Sequence, residues 1–274
     1  MDVQTQTVTV GDLDFTVRTG GPPTGPAVLL LHGFPNVGTC YDGVVARLHE
    51  SGLRTIVPDQ RGYSPGAQPT EVQAYGIAHL VDDAIGILDA VGVHYALAVG
   101  HDWGALVAWH LAGRHPERLT GLVAASVGHP SAIAGSLSHD DDQRRRSSYI
   151  PGFIDPSAED TLLADDGARL CALVPDDSVL PLLHRPTLTG ALNWYRANFT
   201  GDIAGNLACP PVEVPTTMVW SDGDPALGRA QAEASGRFVY SDYRFSELHG
   251  VDHWVPQNAA ASLASEIALR SSTW

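Results

Sequence analysis

The chain has no lysine: all 16 of its basic residues are arginine. Schiff-base catalysis and a phosphate-binding P-loop lysine are therefore excluded. Cysteine is scarce as well, with Cys40, Cys171 and Cys209 scattered at spacings that suit neither disulfide pairs nor a metal site. Small buried thiols in a reducing, cytoplasmic setting are the expectation. No apolar run approaches the roughly 18 residues of a membrane-spanning helix. The opening MDVQTQTVTVGDLDFTV lacks the basic and apolar regions of a secretory leader. Positive charge is in deficit, 16 basic against 31 acidic residues for a net charge of −15. That balance argues against nucleic acid or an anionic membrane as a partner.

What is present suits a globular protein, with 44% hydrophobic and 17% charged residues in 274. Two short alternating strands are expected within 5–18, turning at Gly11-Asp12. Ala27-Val-Leu-Leu-Leu-His32 is a continuous apolar run and predicts a strand buried on both faces. Further strands are expected at 55–59, 95–99 and 119–126, alternating with helices near 41–51, 75–91 and 105–114. This rhythm predicts a mostly parallel sheet flanked by helices. It breaks between 129 and 211, where proline, charge and helical patterning rise, and resumes with strands at 216–220 and 242–248 and helices at 227–237 and 259–270. The expectation is an α/β core formed by 1–128 and 212–274, interrupted by an inserted helical cap at 129–211. The charge run His139-Asp-Asp-Asp-Gln-Arg-Arg-Arg146 is expected to be a solvated loop or helix end within that cap.

One stretch carries chemistry. Gly100-His-Asp-Trp-Gly104 follows a buried strand and opens a helix, the context of the sharp turn that presents a hydrolase nucleophile. The flanking glycines permit the reversal, and the helix N-terminus favours negative charge beside it. Asp102 stands where a serine would be expected. Its alternative role is to cap the helix, as aspartates often do. On local sequence the two roles are comparable.

Other motifs separate them. In chain order they are His32-Gly-Phe-Pro35, Asp59-Gln-Arg-Gly-Tyr-Ser-Pro-Gly66, the Asp102 turn, Trp220-Ser-Asp-Gly-Asp-Pro-Ala-Leu227 and Asp252-His-Trp-Val-Pro256. Over essentially its whole length the sequence resembles the α/β-hydrolase superfamily, and within it the epoxide hydrolases that use an aspartate nucleophile. The resemblance implies an α/β-hydrolase fold with no cofactor and no metal. It further implies Asp102 as nucleophile, Asp224 as orienting acid and His253 as the histidine, in the chain order this fold imposes. The backbone N–H groups of Phe34 and Trp103 would form the oxyanion hole. Asp222 rivals Asp224 from two residues away, and His249 lies near His253. His32 is expected to shape its loop rather than to act as a base.

An aspartate selects its electrophile. With an ordinary pKa of about 4 the carboxylate is already ionised at neutral pH, and it can displace at a saturated carbon to leave an alkyl ester. A histidine can then activate water to attack that ester. Strained ethers and alkyl halides are the substrates such chemistry suits, and they differ in their leaving group. A halide departs as an anion, whereas an epoxide oxygen needs a proton. Leu192-Asn-Trp-Tyr-Arg196 resembles the epoxide-hydrolase motif that carries a proton-donating tyrosine, which implies that role for Tyr195. Tyr149, in Ser147-Ser-Tyr-Ile150, falls where the family places the second. The alternative for Tyr195 is an aromatic packed with Trp194 and Phe199 in a small cap core. The implied partners are a small epoxide and water, with a homodimer left open. The other readings are a hydrolytic dehalogenase on the same scaffold and a non-catalytic ligand-binding relative.

Overall fold

The computed structural model describes residues 3–272. Strands β1 (Gln4–Val10) and β2 (Leu13–Gly20) form a hairpin closed by Gly11-Asp12. Gly11 has φ of +57°, which the tight two-residue turn demands. Strands β3 (Ala27–Leu31), β4 (Arg54–Pro58), β5 (Ala96–His101), β6 (Leu119–Ala125), β7 (Thr216–Ser221) and β8 (Tyr243–Leu248) complete an eight-stranded sheet. Its order is β1-β2-β4-β3-β5-β6-β7-β8, parallel from β4 to β8 and antiparallel where β2 joins β1 and β4.

Alternation of side chains along each strand builds two cores. Val28 and Leu30 pack with helices α1 (Asp42–Glu50) and, near the C-terminus, α12 (Ala260–Ser271), against Val44, Leu48, Leu263 and Ile267. Leu29 and Leu31 face the other side, with Leu80 and Ile87 of α2 (Ile77–Ala90) and Val107 and Leu111 of α3 (Trp103–Arg114). Each fully buried aliphatic side chain contributes about 1.5–3 kcal/mol, which is why β3, with side chains in both cores, is apolar throughout. The chain runs outward from β3 to β4, then returns to the opposite side of β3 as β5. Such a reversal opens a crevice at the carboxyl ends of the strands, where ligands bind in open α/β sheets.

Between β6 and β7 the described chain is helical, with α4 (Pro130–His139), α5 (Asp141–Arg146), α6 (Ile150–Ile154), α7 (Ala158–Cys171), α8 (Arg185–Asn198) and α9 (Ile203–Asn206). Helix α7 is interrupted by non-helical backbone at Ala164–Gly167. Helix α8 is fastened to the core. The Trp194 indole N–H donates to the Arg61 carbonyl at 2.9 Å, and Asn198 takes the Ile77 N–H at 3.1 Å. A Cβ added to Gly190 would lie 2.6 Å from Gly62 Cα, so the two backbones touch directly. Short helices α10 (Arg229–Ala234) and α11 (Val255–Asn258) flank β8.

Two expectations need amendment. The charge run is not simply solvated: α5 has one buried face, with Gln143 only 1% exposed. The cysteines are free, and Cys40 is buried, but Cys171 and Cys209 are only half-buried. No helix among the described residues is long and apolar enough to cross a membrane.

Candidate active site

Asp102 sits at the end of β5 with φ of +54° and ψ of −122°, a conformation that costs a non-glycine residue about 1–3 kcal/mol. The turn closes because its glycines have no side chain. A Cβ on Gly104 would stand 2.0 Å from the Leu31 carbonyl oxygen, and one on Gly100 2.2 Å from the Gly104 carbonyl. Asp102 makes no side-chain capping bond to its own helix. Instead its Oδ1 accepts the Phe34 N–H at 2.9 Å, from the loop after β3, while the Trp103 N–H at the start of α3 helps to hold the carboxyl's pKa down. Gly33 makes this approach feasible, since a Cβ there would be 2.4 Å from the Asp102 carboxylate. His32 braces the loop, its Nε2 accepting the Gln60 N–H at 3.1 Å and its Nδ1 facing the Gly33 carbonyl at 3.2 Å.

The ends of β7 and β8 supply the other groups. His253 Nδ1 lies 2.8 Å from Asp224 Oδ2, and its Nε2 lies 3.6 Å from Asp102 Oδ2. The remaining Asp224 oxygen accepts the Ala226 and Leu227 N–H groups at 2.8 and 3.0 Å. Of the two rival aspartates, Asp224 is therefore the one that reaches His253. Asp222 turns outward to His249 at 3.0 Å and to the Gly250 N–H at 2.7 Å.

Burial shapes the charges. It opposes ionisation of Asp102, but hydrogen bonding and charge from His253 outweigh it and hold the carboxyl below its ordinary range. Burial likewise pushes Asp224 up, and His253 again prevails and depresses it. Burial alone would lower His253; the Asp224 charge and the Asp102 hydrogen bond instead raise it to about 10. At neutral pH the three groups form an imidazolium held between two carboxylates.

Two apolar cavities meet at Asp102. One is lined by Trp103, Leu106, Val127, Ile133 and Phe199. The other is lined by Phe34, Phe153, Leu173, His253 and Trp254. Tyr149 and Tyr195 line both. Tyr195, on α8, is 3% exposed and is boxed by the rings of Trp103 at 5.0 Å, Phe153 at 5.1 Å and Phe34 at 5.5 Å. Burial, then Tyr149 and Asp102, push its hydroxyl well above the ordinary phenol value. Tyr149 follows α5 in a 3₁₀ turn, Ser147–Tyr149. It is 36% exposed at the rim, yet lines both cavities together with Tyr195. Burial and the charges of Asp102 and Asp224 raise its pKa too.

These observations fix the frame: an aspartate on a strained strand-to-helix turn, an acid–histidine pair from the last two strands, and a cavity beneath inserted helices. The alpha/beta hydrolase fold family model matches residues 26–176. The chain belongs to the alpha/beta-hydrolase family. It is 31% identical to AB hydrolase superfamily protein YfhM of Bacillus subtilis, over 92% of each chain. It is 28% identical to Epoxide hydrolase A of Mycobacterium tuberculosis, over 90% of each. A solved structure of an epoxide hydrolase from hot-environment metagenomes superposes with a TM-score of 0.85 at 27% identity, covering 98% of this chain and 99% of that one.

This hydrolase also holds residues that the sequence did not single out. His101 Nε2 donates to the His253 carbonyl at 2.8 Å and so steadies the histidine's backbone. Phe153 lies between Phe34 and Tyr149, 5.0 and 5.3 Å from their rings. Neither carries a local motif; each matters only through neighbours distant in sequence. Among the described residues one trio, Asp222, Glu247 and His249, brings metal-type donors within 4.8 Å of one another. The Arg229 guanidinium, 2.6 Å from Glu247, already supplies positive charge there.

Proposed function

We propose that this hydrolase opens an epoxide to a vicinal diol through an ester on Asp102. The observation that carries the reading is the pair of tyrosine hydroxyls lining the same apolar cavity as that carboxylate. Phe34 holds Oδ1, which leaves Oδ2, the oxygen nearer His253, to attack a ring carbon. As the ring C–O bond breaks, Tyr149 or Tyr195 gives its proton to the leaving oxygen. Their raised pKa values keep that proton in place until an alkoxide, far more basic, develops beside them. The resulting tyrosinate then recovers a proton from His253, which is an imidazolium in the resting site. Neutral His253 next takes a proton from water as the water attacks the ester carbonyl carbon. The Phe34 and Trp103 amides stabilise the oxyanion on Oδ1; such a donor is worth about 2.7–4 kcal/mol of barrier. Collapse breaks the bond from the ester carbonyl carbon to the alkyl-bearing oxygen; the departing alkoxide takes the proton of the newly added hydroxyl, so the diol leaves with Asp102 again a carboxylate and His253 an imidazolium.

The proposal treats residues 129–211 as a cap over a core of 1–128 and 212–274, needing no cofactor and no metal. It places the protein in the cytoplasm with a small epoxide and water as partners. A dehalogenase would require free N–H donors for halide. Two tyrosines lining the cavity at the Asp102 carboxylate favour the epoxide. The test is a parallel assay on aryl and alkyl epoxides and matched haloalkanes. Diol without halide is expected; halide without diol would reassign both tyrosines to packing.

A further inference from the structure

The acidic and basic run on α5 hides one neutral residue with no exposed surface to speak of. Gln143 directs its Nε2 to the Ala226 carbonyl and to Ser147 Oγ, both at 2.9 Å, and its Oε1 accepts the Gly228 N–H at 2.8 Å. Arg146, one turn on, donates to the Asp224 carbonyl. The loop they grip is the one that holds the Asp224 carboxylate.

The decisive relation lies in a single peptide plane. The Ala226 carbonyl and the Leu227 N–H belong to the same peptide unit. Gln143 donates to the carbonyl end, and Asp224 Oδ1 accepts from the N–H end at 3.0 Å. Fixing one end orients the other, and hydrogen bonds in such a chain polarise one another. Asp224 in turn orients His253 through its other oxygen at 2.8 Å. From these contacts we infer that Gln143 is a positioning residue for the Asp224–His253 pair, acting through the 226–227 peptide. The inference rests on the proposed two-step reading of the site. It concerns the second step: loosening the histidine's orienting acid slows water activation, whereas attack by Asp102 does not need it. The same short segment carries Tyr149, so α5 keeps the ring-opening acid and the hydrolytic base in register.

The test is Gln143→Met, which keeps the volume and removes the amide, compared with Arg145→Ala on the solvent side of α5. Single-turnover mass spectrometry follows ester formation and ester loss. Ester hydrolysis is expected to slow about 10-fold, the scale of one or two buried hydrogen bonds, with ester formation changed less than about twofold. The ester accumulates in the steady state, and the downfield proton resonance of the His253 Nδ1–H moves upfield. Arg145→Ala changes neither. Wild-type ester hydrolysis with an unmoved resonance overturns the inference, as does an equal fall in both steps. If Gln143→Met does not fold, Gln143→Asn, which keeps an amide too short to span the gap, is judged by the same readouts. Absence of any Asp102 ester in the wild type would instead defeat the two-step reading, and the resonance alone would then decide the role of Gln143.

Discussion

At the scale of single residues, the site divides its labour by where burial leaves charge. Asp102 and Asp224 remain ionised despite burial because His253 stands between them, and each group's state depends on the other two. The proposed scheme therefore predicts different failures for different substitutions. Asp102→Ala abolishes turnover, because among the described residues no other carboxylate adjoins both Phe34 and His253. His253→Gln still forms the ester and accumulates it, visible by intact-mass spectrometry as a protein-plus-substrate adduct. A bare protein mass after incubation with substrate would contradict the scheme. Tyr195→Phe slows epoxide opening by about 100-fold, the lower range for a lost general acid, and leaves any halide displacement unaffected. Equal loss on both substrate types would remove its role as proton donor.

Secondary-structure elements are most legible where burial is two-sided. Strands β3, β5, β6 and β7 emerge within a residue or two of expectation, because a strand covered by helices on both faces must be apolar along its whole length. Helix α5 was not legible in the same way. Six polar residues in succession, Asp141–Arg146, carry no apolar stripe, yet the helix buries Gln143 against a loop more than 80 residues further on. Only the partner loop makes that burial favourable, through hydrogen bonds rather than apolar contact. Helix α8 offers the element-scale prediction. Its approach to the 59–66 loop is backbone to backbone at Gly190 and Gly62, so Gly190→Ala must displace the helix that carries Tyr195. We expect a loss of about 1–3 kcal/mol in stability, the usual cost of overpacking, together with a lower kcat for epoxide opening. A thermal melt and an epoxide assay check this; an unchanged melting temperature would show that the contact yields.

For the whole molecule, pH dependence follows from histidines that must stay neutral. His32 accepts at one ring nitrogen and faces a carbonyl with the other; His129 does the same with the Ser131 N–H and the Pro210 carbonyl. Neither can be doubly protonated without losing a bond. Burial is the leading cause that lowers His32, His101 and His129 to about 4 and His110 to about 3. Because these values lie below the unfolded value near 6.5, the unfolded chain binds more protons between them, and stability falls as pH drops through that window. Each histidine of this kind removes on the order of 2 kcal/mol by pH 5. His253 has the opposite sign: its raised value stabilises the fold fully below about 6.5, and that contribution is lost as pH rises toward 10. Thermal melts should therefore peak near neutrality and fall steeply between pH 6.5 and 4. A melting temperature level across that window would mean that these rings are solvated.

Beyond what the family resemblance implied for Asp224 and His253, sequence alone determined the alternation of strands and helices, the helical interruption and the glycine-flanked turn at Asp102. Those features are local, because burial on two faces and a glycine-flanked reversal each leave a mark within a few residues. Tertiary structure decided what depends on direction across the crevice. It turned Asp224 inward and Asp222 outward although they share one loop, set Tyr149 against Tyr195, and brought Gln143 to the peptide that holds the acid. Such pairings are made between loops from different strands, and no spacing along the chain records which way a side chain at the end of a strand will point.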